Sequence, residues 1–93
     1  MAENPLSGDL LGVARASGQT DADGSLKRLG DAVRAARKAL ALSQEALADA
    51  AGIDRSHMGK IERGERNVTL LNVARIAKAI GCKPSDLLAA AGL

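Results

Sequence analysis

Residues 43–64 read SQEALADAAGIDRSHMGKIERG. Two short apolar runs flank Gly52, and their apolar residues recur at helical steps rather than at the two-residue step of a strand. Ser43 stands where an N-cap is expected, with Glu45 in the first turn, where the helix dipole favours an anion. The run to Ala51 continues that helix and Gly52 stops it. Asp54 is the next N-cap, opening a helix in which Met58 and Ile61 face inward and which Gly64 closes. Its outward face carries Arg55, Ser56 and Lys60. A face of donors and positive charge contributes nothing to a core, and it suits a charged partner.

The same reading extends outward. Leu26, Leu29, Val33, Ala36 and Leu40 recur at three- and four-residue steps, one face of a helix ending near Ala41. Thr69 caps a later helix with Leu70, Val73, Ile76, Ala77 and Ile80 on its buried side, ended by Gly81. Pro84 suits the first turn of a last, short helix, PSDLLAAAG. No strand pattern occurs, so the expectation is an all-α chain of five helices over residues 25–93. Residues 1–24, with Gly8, Gly12, Gly18, Gly24 and Pro5, read as a flexible acidic N-terminal tail.

Composition narrows the function. With 93 residues there is room for one domain. It contains no Phe, Tyr or Trp, so the base-stacking platforms of single-strand and RNA readers have no side chains to use. Cys82 is the lone cysteine, read as a small buried hydrophobe, and His57 is the lone histidine. These supply no disulfide framework and no zinc cluster, and no cofactor is expected. No acid–base pair, activated nucleophile or phosphate loop stands out, which argues against an enzyme. Neither a membrane-length apolar run nor a secretory signal is evident, and a cytoplasmic protein is expected. Residues 1–24 hold one Arg against four Asp and Glu, a balance of −3. Residues 25–93 hold twelve Lys and Arg against seven Asp and Glu, a balance of +5, as a phosphate-binding surface requires.

The window 43–64 resembles the helix-turn-helix of XRE, or Cro/cI-repressor-like, DNA-binding proteins, and the resemblance extends over residues 26–90. Leu47, Ala51, Ile53, Met58 and Ile61 match its apolar positions. Ala48 matches its small residue and Gly52 its turn glycine, and IERG and PSDLL are also similar. The resemblance implies a lambda-repressor-like domain in which Arg55, Ser56 and Lys60 enter the major groove and contact bases. It implies phosphate contacts from Gln44, with Ser43 capping or touching the same phosphate, and places Arg63, Arg66 and Asn67 near phosphates across the groove. His57 is open between a phosphate contact and a packed neutral side chain, and Gly59 between close approach to DNA and simple tolerance. Arg37 interrupts the apolar stripe of the first helix, where an unpaired charge would be unfavourable. The family pairs that position with the one Glu62 occupies, so an Arg37–Glu62 ion pair is expected.

The function so implied is a sequence-specific regulator of transcription that binds double-stranded DNA in the prokaryotic cytoplasm and nucleoid. Size and architecture resemble phage-type repressors, restriction–modification controller proteins and regulators on mobile elements. One unit touches few bases, so a homodimer on a palindromic operator is expected. The surplus apolar residues Leu87, Leu88, Ala91 and Leu93 make the last helix the expected interface. The alternative is an antitoxin-like interaction module in which residues 1–24 take a protein partner and DNA binding is secondary.

Overall fold

The computed structural model describes residues 21–93, and they form five α-helices. These are α1 (Ser25–Ala39), α2 (Gln44–Ala51), α3 (Arg55–Glu62), α4 (Leu70–Ile80) and α5 (Pro84–Ala90). The expected flexible tail, and the partner assigned to it, fall mostly on residues 1–20, outside the described residues. Its boundary at residue 24 is corrected. The Asp21 carboxylate accepts the N–H groups of Leu26 at 2.9 Å and Lys27 at 3.2 Å, so the folded unit includes Asp21. The reason is local: Gly24 occupies the N-cap of α1 and has no side chain to serve those N–H groups.

The caps of the next helices follow the residue chemistry. Ser43 accepts from the Ala46 N–H at 2.9 Å and Thr69 from the Asn72 N–H at 3.1 Å. At the other end of α1, Leu42 N–H reaches the Arg37 carbonyl and Ala41 N–H the Lys38 carbonyl, both at 3.0 Å. That is a Schellman motif, with Ala41 left-handed at φ 57° where glycine is the usual residue. The helix therefore stops at Ala39, and Leu40, expected on the buried stripe, is instead 48% exposed.

The core is aliphatic and draws on every helix: Leu29 and Val33, Leu47 and Ala48, Met58 and Ile61, Val73 and Ile76, Leu87 and Ala91. α2 packs on α4 and α3, α1 packs on α3, and α5 closes the domain against α1 and α4. One expectation is corrected here. Leu70 begins α4 before the helix reaches the core and is 77% exposed. In α5, Leu87 and Ala91 are buried in the domain's own core and Leu88 packs against it, which leaves Leu93 as the exposed member of the expected interface set. Among the described residues, no helix is long and apolar enough to cross a membrane.

Candidate nucleic-acid interface

The turn between α2 and α3 sets the interface. Gly52 is left-handed at φ 67° and ends α2, and the Ile53 N–H returns to the Ala48 carbonyl at 2.9 Å. Ile53 then enters the core, and Asp54 caps α3. The N-terminal half of α3 is thereby left with Arg55 and Ser56 exposed, His57 and Lys60 half-buried, and Met58 underneath.

Asp54 does more than cap. Its Oδ2 accepts the N–H groups of Ser56 at 3.0 Å and His57 at 3.3 Å, and the Ser56 hydroxyl at 2.6 Å. The Ser56 hydroxyl bond, followed by the His57 N–H, holds the Asp54 carboxyl below its ordinary range. The one hydroxyl proton of Ser56 points at Asp54, so its oxygen offers lone pairs outward. Arg55 extends towards Glu45 of α2 at 3.8 Å, with both side chains largely exposed. His57 Nε2 lies 3.5 Å from the Asn72 amide nitrogen, which places the ring between the first turns of α3 and α4.

The opposite end of α3 is fixed from below. Glu62 is 2% exposed and forms a two-bond pair with Arg37, Nε to Oε2 at 2.7 Å and Nη2 to Oε1 at 3.0 Å. Arg37 Nη1 also donates to the Leu42 carbonyl at 2.9 Å. The Glu62 bond makes the Arg37 proton harder to remove than usual. The ion pair is thus formed as expected from the sequence. What the sequence reading missed is a third member: the Gln44 amide donates to Glu62 Oε1 at 3.1 Å. One carboxylate ties together α1, the start of α2 and the end of α3. No local period signals a partner 18 residues away.

Two glycines let these parts meet. A Cβ on Gly30 would lie 2.5 Å from the Ile61 carbonyl oxygen and 2.6 Å from that of Glu62, so α1 and α3 touch backbone to backbone. A Cβ on Gly59 would lie 3.2 Å from Arg63 Nη1 and 3.3 Å from Gln44 Oε1. The missing side chain leaves room for the Arg63 and Gln44 ends to converge over the middle of α3.

Of the expected phosphate contacts, Ser43 and Gln44 stand at the start of α2, and Arg63, Arg66 and Asn67 follow α3 with exposed side chains. Arg63 is engaged by Glu65, Nε to Oε2 at 2.9 Å. Arg34, not singled out from the sequence, lines the same groove as Arg37, Gln44, Arg63 and Glu65. Its signal was its spacing, three residues before Arg37 on the exposed side of α1.

Residues 33–87 match the family model described as Helix-turn-helix. The chain is 43% identical over 65 residues to the control protein C.SmaI of Serratia marcescens, covering 70% of this chain and 77% of that protein. It is 49% identical over 47 residues to the control protein C.BamHI of Bacillus amyloliquefaciens, covering half of this chain and 58% of that protein. The crystal structure of the restriction-modification controller protein C.AhdI from Aeromonas hydrophila superposes with a TM-score of 0.66 at 45% identity. That superposition covers 71% of this chain and 97% of that one. The family match spans the turn at Gly52, the exposed face of α3 and the buried Arg37–Glu62 pair together: the chain belongs to the helix-turn-helix family of DNA-binding transcription regulators.

Proposed function

We propose that this helix-turn-helix transcription regulator acts in the cytoplasm as a homodimeric controller protein, reading a palindromic operator with α3 in the major groove. The observation that carries this reading is the polar front of α3, held outward by the turn at Gly52 and by the buried Arg37–Glu62 pair. Arg55 and Lys60 are donors suited to guanine O6 and N7. Ser56, its proton held by Asp54, is suited to accept from an exposed amino group, adenine N6 or cytosine N4. Ser43, Gln44, His57, Arg63, Arg66 and Asn67, joined by Arg34, are assigned to phosphates, which set register without reading sequence.

In the dimer, α3 of each copy meets a half-site, the two about 34–36 Å apart or a multiple of that. The contact between copies is assigned to the exposed end of the chain around Leu93, since Leu87 and Ala91 are committed to the core. Replacing Leu93 by Glu should shift sedimentation equilibrium towards monomer, whereas Leu87→Glu should unfold the domain. A dimer unmoved by Leu93→Glu rejects that surface. The reading as a whole is tested by binding. Arg55→Ala should weaken a cognate duplex by roughly 1–3 kcal/mol and a random duplex far less. Equal losses on both would refute base reading by Arg55.

A further inference from the structure

The end of α3 carries a carboxylate that the DNA reading does not absorb. Gly64 is left-handed at φ 72°, and its N–H returns to the Ile61 carbonyl at 3.0 Å while the Glu65 N–H returns to the Lys60 carbonyl at 2.9 Å. This Schellman motif fixes the Glu65 backbone directly over the last turn of the recognition helix. It is further pinned because a Cβ on Gly64 would lie 2.8 Å from the Lys27 Cα, so the loop is seated on α1. In such motifs the residue after the left-handed one commonly makes an apolar contact with the residue Lys60 occupies here. This chain has a carboxylate there instead. Glu65 pairs with Arg63 at 2.9 Å, and both side chains are about half exposed, at 53% and 55%. The Arg63 bond, with Lys60 nearby, holds the Glu65 carboxyl below its ordinary range, so it is charged whenever the protein would meet DNA.

We propose that Glu65 is a specificity-determining residue of the DNA interface: its carboxylate occupies the Arg63 guanidinium as a phosphate would, and withholds that cation from duplex that offers phosphates alone. The proposal rests on the DNA-binding reading above. Non-cognate binding is almost wholly an exchange of condensed counterions for Lys and Arg, with about 0.9 counterion released per phosphate neutralised. One such contact contributes roughly eightfold at about 0.1 M salt, and Glu65 removes it from the non-cognate complex. On the operator the loss matters less. There Arg55, Ser56 and Lys60 are held by base edges, and an Arg63 oriented by Glu65 is already in place rather than recruited from a mobile ensemble.

The test uses the full chain and two duplexes, one recovered by the wild-type protein from a random pool and one of scrambled sequence. Glu65→Gln keeps the size and backbone bonds and removes the charge. Its affinity for scrambled duplex should rise about eightfold, with a salt slope steeper by about one, and its affinity for the selected duplex should rise less than about twofold. The ratio between the two therefore falls. A ratio that stays the same or rises overturns the proposal, because Glu65 would then be a uniform repulsion or a purely structural group. Glu65→Asp, which retains the charge at the same helix end, should keep the wild-type ratio, and a ratio as low as that of Glu65→Gln would also overturn it. A wild-type protein with no preference between the duplexes would instead refute the DNA-reading assignment itself.

Discussion

Glu62 and Glu65 lie three residues apart at the end of α3, and each holds an arginine, yet they do different work. Glu62 is sealed between three helices and bonded by Arg37 and Gln44. Glu65 lies half in water, one arginine beside it. A buried carboxylate cannot be left alone, so Glu62 dictates where α1, α2 and α3 sit relative to one another. An exposed ion pair contributes little to stability and is free to exchange partners. The lesson is that burial, not the residue type, separates the charge that builds the interface from the charge that tunes it.

The sharpest way to break this contrast is to remove Glu62. Glu62→Ala should destabilise the domain by about 3–5 kcal/mol, nearer the lower figure because Arg37 keeps some access to water, as read from urea unfolding. Removing both partners in favour of well-packed apolar residues should cost far less, since no uncompensated charge remains. Gly30→Ala comes next. Its methyl group meets two carbonyl oxygens of α3, and overpacking of this kind costs typically about 1–3 kcal/mol, offset in part by about 1 kcal/mol of gained helix propensity. A fully stabilised Gly30→Ala protein would show that the α1–α3 contact yields easily.

Ala41→Gly should go the other way and raise stability, by at most about 1 kcal/mol, because it relieves a left-handed alanine while loosening the unfolded chain. The smallest effect concerns acid. Asp54 and Glu65 both have folded carboxyl values below the ordinary ones, so each contributes stability that is complete above the ordinary range. It is lost as the pH falls through the lower folded value. Thermal melts should therefore decline on the acid side below about pH 4, and Asp54→Asn, which retains a capping oxygen, should flatten part of that decline.

Much of this was legible in the residues. Ser43, Asp54, Thr69, Gly52, Gly64 and Gly81 announce helix ends by local chemistry, and the aliphatic steps between them announce the faces. The Arg37–Glu62 pair was legible through a family likeness, because a charge in an apolar stripe requires a partner but does not name it. What was not legible is long-range or set by competition. Gln44 reaches Glu62 only once the helices are packed. Leu40 and Leu70 fit the apolar period but fall at helix ends, where the period outlasts the core. Leu87 and Ala91 fit an interface equally well as a core, and only the placement of α5 against α1 and α4 decides. Gly30 carries no signal alone, since nothing local shows that another backbone will press against it.

The most direct measurement is selection of bound duplexes from a random pool by the wild-type protein and by Arg55→Ala in parallel. The wild-type pool should converge on a palindrome with half-sites one helical turn apart or a multiple of it, and the Arg55→Ala pool should keep that spacing while losing preference at one base pair in each half. Pools that fail to converge, or a motif identical for both proteins, would contradict the claim that the exposed front of α3 reads base edges.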